Sequence, residues 1–365
     1  MLGKFCVFCG KKPRGKNREH IIPLWLLELT GKPTRSVALG LDWRNPTAGK
    51  VRRFSYSSFT FPACGACNGE FSNLEGRAKQ VILDMLAKQP VSAAGLDTLL
   101  DWLDKIRVGL WLGLMYLNNN MHNIRPMFYI KDRMAASDRL VVIYRDNDPS
   151  QGVMLAGADS PIFHLMPSCM SLVINHLHFF NASTNLLFAP RMGFPSQGSP
   201  KMAPDGAGEY FTVMNEGTKK TELPLVPYKI RPGGTQLYQP MIPRLISGLE
   251  GSISKYYDNT YIRERCLNYS AGKGKVFRVE DATLNEYSAA PSLEWLPPLM
   301  MEKQPLVRDL PLQVMDWLEA MLRDCSPSLE QLNEDRREYV IMERKSCVKV
   351  HRLMAKAYKK RFGRS

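Results

Sequence analysis

Two short cysteine hairpins, Cys6-Val-Phe-Cys9 and Cys64-Gly-Ala-Cys67, bracket the tripeptide Glu19-His20-Ile21, and Asn68 follows the last cysteine directly. Each hairpin has the Cys-x-x-Cys spacing of one half of a zinc site, and four thiolates make a closed tetrahedral site. A shared zinc ion would tie the start of this segment to its end. The sequence therefore predicts a small zinc-stapled module that frames a histidine beside a carboxylate.

The residues between and after the hairpins predict the secondary structure of this module. Pro23 fits the first position of a short apolar helix, Leu24 to Leu29, and Gly31 ends it. Val51 to Phe61 is rich in aromatic and β-branched residues, which predicts a strand. Apolar residues then recur at helical spacing, which predicts a helix from Asn68 to near Pro90.

The residues that the hairpins enclose have the chemistry of a one-metal hydrolytic site. His20 is the candidate general base because an imidazole can take a proton near neutral pH. Asn68 offers a carbonyl oxygen at a helix N-terminus, which suits a hard cation such as Mg²⁺. Glu19 is the candidate carboxylate ligand. Neighbouring residues on a strand point to opposite faces, so Glu19 reaches a metal beside His20 only through a turn or bulge.

The order Cys-x-x-Cys-Gly, Glu19-His-Ile-Ile-Pro23 and Cys-x-x-Cys-Asn68, with Phe71-Ser-Asn-Leu-Glu75 downstream, resembles the HNH endonuclease family. The similarity covers about residues 4 to 88 and is to the subgroup with a structural Zn²⁺ on four cysteines. It implies a ββα-metal fold in which His20 activates water, while Glu19 and Asn68 hold a catalytic Mg²⁺ or Mn²⁺ ion.

Three positions fit that family pattern less closely. Histidine often stands in the family where this chain has Asn68. The family also uses a central asparagine to orient the base, and Asn45 is the best candidate here, although the insert from Leu24 to Gly40 loosens that alignment. Glu75 stands where related sequences often show glutamate, and the resemblance assigns it no definite role.

Two hypotheses from other functional classes are alternatives to a nuclease function. Paired cysteines are equally typical of a non-catalytic zinc ribbon that binds nucleic acid. They also fit a module that only docks a nuclease or toxin partner. The residues Glu19-His20 between the hairpins and Asn68 after them favour the nuclease, because neither alternative needs a base beside metal ligands.

The charge of the chain lies mainly at its two ends. The formal net charge is +14, of which residues 1–79 carry +9 and residues 344–365 another +9, so the remainder is −4. Basic ends are expected if both contact a polyanion. Double-stranded DNA is the substrate that the resemblance implies. The C-terminal segment alone fits contact with DNA phosphates, an oligomer contact or simple solvation, and the first of these is slightly favoured.

The predicted fold class is α+β, with four regions. They are the zinc-stapled HNH module over residues 1–90, a helical connector over 91–138, a β-rich central domain over 139–300 and a helical basic C-terminal region over 301–365. Strands are predicted at 140–144, 172–174, 178–180, 186–188, 210–214 and 275–279. Helices are predicted at 96–117, 129–134, 242–257, 311–324 and after a capping box at Ser328 and Gln331, and a loop at Pro190–Gly208.

The expected setting is cytoplasmic, without a membrane. The longest apolar run, Val108 to Leu117, is too short to span a bilayer. The four cysteines outside the hairpins are scattered, as reduced thiols usually are: Cys169, Cys266, Cys325 and Cys347. A nuclease fused to a large domain of another kind suggests that a ligand or protein partner gates the nuclease activity. The family resemblance suggests a role in defence against foreign DNA or in the mobility of such DNA.

Overall fold

The computed structural model describes residues 5–15, 17–41, 51–117, 126, 128–134, 137–145, 152–158, 160–165, 167–183, 196–202, 209–214, 234–240, 273–280, 283–287, 314–316, 318–319 and 333–362. Several sequence predictions lie outside these residues: Asn45, the strand at 186–188, the helix at 242–257 and the capping box of Ser328 and Gln331.

The described chain contains both helices and strands. In order they are β1 (Arg18–His20), α1 (Leu24–Leu29), β2 (Ser36–Leu41), β3 (Val51–Ser55), a 3-10 turn (Tyr56–Ser58), β4 (Thr60–Pro62), α2 (Gly65–Leu86), α3 (Ala93–Leu117), α4 (Ile130–Arg133), β5 (Arg139–Arg145), β6 (Val153–Ala156), α5 (Pro161–Leu165), β7 (Cys169–Ile174), β8 (Leu177–Ser183), β9 (Ser196–Met202), β10 (Glu209–Met214), β11 (Thr235–Gln239), β12 (Phe277–Glu280), β13 (Thr283–Glu286) and α6 (Glu334–Phe362). Residues 314–316 and 318–319 are also helical.

The N-terminal module, residues 5–90, contains two small antiparallel sheets and the long helix α2. Strand β1 pairs with β4, with Glu19 opposite Phe61 and His20 opposite Thr60. Strand β2 pairs with β3. Helix α2 begins directly after Cys64, three residues earlier than the apolar spacing predicts, because that spacing reports only the buried face that starts deeper in the helix.

Helix α3 lies at the centre of the molecule. It spans 25 residues, and its middle is buried on every side, as expected of a helix surrounded by protein. Both of its tryptophans, Trp102 and Trp111, are fully buried. One continuous hydrophobic core runs from Phe5 in the N-terminal module through α3 to the central strands and Leu318.

The central strands form one antiparallel sheet of seven in the order β13-β12-β11-β5-β8-β7-β6. Strands β5, β7 and β8 are buried along almost their whole length, which explains their unbroken apolar runs. Strands β9 and β10 form a separate two-stranded ribbon. The structure thus confirms a mixed α+β fold with antiparallel sheets.

Buried ion pairs join α3 to this sheet. Arg139 of β5 is fully buried, and its guanidinium donates to Asp101 of α3 at 2.5 Å and to Gln239 of β11 at 2.6 Å. Lys273 donates to the same Asp101 carboxylate at 2.8 Å. Because a buried charge is costly unless it is paired, these contacts fix how α3 sits on the sheet.

Two sequence predictions of local structure are wrong. The single strand predicted for Val51 to Phe61 is broken by the 3-10 turn. There Ser58 donates to the carbonyl of Ser55 at 2.7 Å, a local bond that competes with strand pairing. The loop predicted for Pro190 to Gly208 contains β9, whose proline is accommodated because an edge strand tolerates a missing N–H group.

No helix in the described part of the chain is long and apolar enough to cross a membrane.

The close packing of α3 on β4 gives a test of this architecture. A Cβ atom at Gly113 of α3 would lie 2.6 Å from the ring of Phe61 and 3.1 Å from that of Phe59. We expect Gly113→Ala to lower the free energy of unfolding by about 1–3 kcal/mol, because both rings are buried and must shift. Urea unfolding followed by tryptophan fluorescence measures this change.

The matched control is Gly76→Ala in α2, where a Cβ atom meets nothing within 4 Å. This substitution should raise the free energy of unfolding by about 0.5–1 kcal/mol, because alanine has a higher helix propensity than glycine. Equal effects at the two positions would contradict the packing of α3 on β4.

Candidate functional site

The four cysteines of the two hairpins converge on one point. The sulfur atoms of Cys6, Cys9, Cys64 and Cys67 all lie within 4.8 Å of one another, and the Cys9 and Cys64 sulfurs are 4.0 Å apart. A tetrahedral zinc ion with bonds of about 2.3 Å holds its sulfur ligands roughly 3.8 Å apart. The cluster can therefore hold a metal ion, and its all-thiol ligand set is consistent with structural zinc.

Backbone geometry prepares the hairpins for this role. Gly10 has a φ of +72°, which turns the chain after Cys9, and a Cβ atom there would overlap the ring of Tyr129. The backbone N–H of Cys64 donates to the sulfur of Cys6 at 3.2 Å, which ties one hairpin to the other. Amide donors to sulfur favour the thiolate form that binds a metal.

Burial and the neighbouring sulfurs oppose ionisation of Cys67. Burial, a hydrogen bond with Cys9 and the negative charge of Cys6 and Cys9 raise the pKa of Cys67 to about 12. A divalent metal ion removes this penalty because it supplies the missing positive charge. The electrostatics of the cluster thus fit a metal centre better than four free thiols.

A second group of charges surrounds Glu19. The buried ammonium of Lys105, from α3, contacts Glu19 Oε1 at 2.5 Å and also contacts Glu75 Oε1 of α2. The same nitrogen lies 3.4 Å from the backbone carbonyl oxygen of His20. We call Lys105, Glu19 and Glu75 the Lys105 cluster.

The Lys105 cluster has a net charge of −1 when all its members are ionised. Burial alone would lower the pKa of Lys105, but the carboxylates of Glu75 and Glu19 together raise it above its ordinary value. Burial also raises the pKa of Glu75, and the ammonium of Lys105 opposes that rise. When both carboxylates are ionised, one excess negative charge lies beside the backbone of His20.

The His20 side chain lies on the other face of β1. The pairing of β1 with β4 is regular from Arg18 to His20, so the turn or bulge that would bring Glu19 to the same side is absent from this strand. His20 Nε2 lies 3.1 Å from the carbonyl oxygen of Ser57. Because a carbonyl oxygen only accepts, this contact requires the proton on Nε2, which leaves the lone pair of a neutral ring on Nδ1.

An exposed cation accompanies His20 on that face. Arg18 is two residues earlier on the strand and so points the same way. Its guanidinium donates to the hydroxyl of Thr60 at 2.7 Å and to the Thr60 carbonyl at 2.5 Å, which anchors it beside the histidine. An imidazole and an anchored guanidinium on one exposed face suit a phosphate group.

Asn68, the other predicted ligand, is not part of the Lys105 cluster. Asn68 lies in the first turn of α2, where its N–H donates to the Cys64 carbonyl at 2.9 Å, and its side chain makes no hydrogen bond to the described residues. Glu75 shares the face of Asn68 but lies two turns on, about 10 Å along the axis. Among the described residues, the only group of three or more potential metal-binding side chains is the cysteine cluster.

The donors for a hard divalent cation are nevertheless present. The carboxylate of Glu19 is engaged only through Oε1 among the described contacts, which leaves Oε2 available. The side-chain oxygen of Asn68 is likewise uncommitted within the described chain. Mg²⁺ and Mn²⁺ accept carboxylate and amide oxygens as ligands, so the chemistry of Glu19 and Asn68 fits such a cation. A single site shared by the two residues stays a prediction.

Lys105 is not among the predicted site residues because it lies in an amphipathic helix outside the motif. The usable signal was the segment Asp101-Trp-Leu-Asp-Lys105-Ile-Arg107, which places four charges inside an apolar helix. A helix that is buried on all sides must pair such charges within the protein. Here Arg107 pairs with Asp104, while Lys105 turns to the N-terminal module.

Comparison of the chain with models of protein families, with curated proteins and with solved structures gave no match.

The metal centre can be tested by replacing one ligand. We expect Cys64→Ser to lose the bound zinc and to unfold the N-terminal module, because structural zinc binding is coupled to folding. Zinc content per chain, measured by mass spectrometry of the metal, and thermal unfolding report both effects. The control is Cys347→Ser in α6, away from the cluster, which should keep one zinc ion per chain. A stable, zinc-free Cys64→Ser protein would contradict a structural role for the metal.

Proposed function

We propose that the chain is a metal-dependent endonuclease of the HNH type that hydrolyses phosphodiester bonds in DNA. His20 is its general base, and Glu19 and Asn68 hold a divalent cation. The observation that carries this proposal is the hydrogen bond from His20 to the Ser57 carbonyl. It fixes the ring so that Nδ1, the nitrogen with the lone pair, is the one that can take a proton.

The half-buried position of His20 supports the role of a base. The ring is oriented by backbone on one side and remains partly open to solvent, so a water molecule can reach Nδ1. In the proposed step Nδ1 takes a proton from water while the water oxygen attacks phosphorus. The bond from phosphorus to the leaving oxygen breaks, and that oxygen is protonated from solvent.

The charges around His20 support an anionic polymer as substrate. Arg18 shares the face of His20, and Lys11, Lys12 and Arg14 are exposed in the turn before β1. These cations can contact several phosphates along one strand, as nucleic-acid-binding surfaces do. DNA rather than RNA follows from the resemblance to HNH endonucleases.

The cation would add what His20 cannot supply. A bound Mg²⁺ or Mn²⁺ stabilises negative charge on the phosphate oxygens as the new bond forms. Glu19 Oε2 and Asn68 Oδ1 are the protein atoms that would hold it. Glu19 and His20 lie on opposite faces of β1, so a cation on Glu19 acts on the phosphate beside His20 only if the regular β1–β4 pairing gives way to a turn or bulge there. The N-terminus of α2, which carries Asn68, adds a partial positive charge that favours a phosphate nearby.

A second candidate function rests on the Lys105 cluster. The ammonium of Lys105 already neutralises part of the charge on Glu19. Such pairing is expected if no metal ion binds to this carboxylate. A non-catalytic, zinc-dependent nucleic-acid-binding protein would use the same cysteines and the same basic surface. The two functions differ in whether bound DNA is cut.

Cleavage of supercoiled plasmid by the full chain tests the proposal. With Mg²⁺ or Mn²⁺ present, we expect nicked and linear products, and we expect His20→Ala to slow their formation by at least about 100-fold because the base is lost. Gel electrophoresis over time measures the rate, and a chelator should abolish it.

The matched control is His176→Ala, in the turn between β7 and β8, which should cleave at the wild-type rate. A gel-shift assay with the same DNA shows whether His20→Ala still binds. DNA binding without cleavage under every metal, and with no effect of His20→Ala, would contradict the nuclease and favour the non-catalytic function.

A further inference from the structure

The Glu19 carboxylate is bound to a cation of the protein itself. Lys105 Nζ lies 2.5 Å from Glu19 Oε1, in a position where it is fully shielded from solvent, while 9% of the Glu19 side chain remains exposed. The ammonium also contacts Glu75, so it sits between two carboxylates from β1 and α2. Two carboxylates around a buried positive charge are also what a metal cation requires.

Lys105 comes from α3, outside the sequence motif that supplies Glu19. Its neighbours on α3, Asp101 and Asp104, bind Arg139 of the central sheet, so the backbone of α3 is held in place. The Lys105 side chain itself has a flexible four-carbon stem and reaches its partners only through the ammonium. The ammonium can therefore leave Glu19 while α3 stays where it is.

We propose that Lys105 is a built-in competitor of the divalent cation for the Glu19 carboxylate, and that it keeps the cation affinity of the site low. This inference rests on the proposed function, because it takes Glu19 as a ligand of that cation. With Lys105 in place, only Oε2 of the Glu19 carboxylate remains for the metal. When the metal binds, Lys105 releases Glu19, and its ammonium becomes more accessible.

Binding of Mn²⁺ to the zinc-loaded full chain tests the proposal without reference to cleavage. Free Mn²⁺ is measured by its electron paramagnetic resonance signal during a titration. We expect Lys105→Met to bind Mn²⁺ about tenfold or more tightly than wild type, because a positive charge a few ångströms from the site is removed. Glu19→Gln should lose this binding.

Two control variants separate charge competition from general effects. Lys105→Arg keeps the positive charge and should bind Mn²⁺ about as weakly as wild type. Lys275→Met removes the same charge from an exposed pair with Glu286 on the β12–β13 hairpin, and it should leave Mn²⁺ affinity unchanged. Zinc content and circular dichroism establish that each variant is folded. Unchanged or weaker Mn²⁺ binding in folded Lys105→Met would overturn the proposal.

A measurement on the wild-type chain decides the matter if Lys105→Met does not fold. Limited acetylation followed by peptide mass spectrometry reports how accessible each lysine is. Saturating Mn²⁺ should increase acetylation of Lys105 several-fold, while Lys275 serves as the internal reference and should not change. Equal acetylation of Lys105 with and without bound Mn²⁺ would overturn the proposal.

The outcome is distinguishable from that of the proposed function. Tighter Mn²⁺ binding in Lys105→Met without plasmid cleavage by any variant would support competition by Lys105 and contradict the nuclease. Cleavage that depends on His20, together with an Mn²⁺ affinity that is the same in wild type and folded Lys105→Met, would support the nuclease and contradict the competition.

Discussion

A buried ammonium group must have negative partners, and in this protein that requirement joins three separate elements. Lys105 is fully buried on α3, and its partners Glu19 and Glu75 come from β1 and α2. Removing the ammonium would leave two carboxylates together in a poorly solvated place, which is strongly destabilising. The N-terminal module is therefore held to α3 by electrostatics as well as by apolar packing.

The cysteine cluster and α3 stabilise the N-terminal module at two different places. The short strands β1 and β4 cannot form a core of their own, and a metal ion on the four cysteines would close one end. Helix α3 supplies the other side, where Gly109 and Gly113 let Ile21 and Phe61 approach its backbone. The residue after His20 thus packs directly on the helix that carries Lys105.

Much of this architecture is predictable from residue patterns. The cysteine spacing predicts the cluster, and helical periodicity predicts α1, α2 and α3 to within a few residues. The alternation rule also predicts that Glu19 and His20 point to opposite faces, as the regular β1–β4 pairing has them. These features are local, so a short stretch of sequence contains the information that determines them.

The parts that the sequence does not predict depend on distant contacts. Lys105 reaches Glu19 across 86 positions of the chain, and no spacing rule connects residues so far apart. The serine hydrogen bonds that break the predicted strand at Tyr56 depend on side-chain geometry that periodicity does not report. The orientation of the His20 ring likewise depends on the Ser57 carbonyl, which any residue at that position would provide.

The central claim is that the protein holds two cations with separate tasks, one on the cysteines and one at Glu19. Anomalous diffraction from crystals of the full chain grown with Mn²⁺ tests it directly, because zinc and manganese are distinguished at their absorption edges. The account predicts zinc about 2.3 Å from all four cysteine sulfurs and manganese in contact with Glu19, with Lys105 Nζ withdrawn from that carboxylate. Cysteines without zinc, or a Glu19 carboxylate still closed on Lys105 at saturating Mn²⁺, would contradict it.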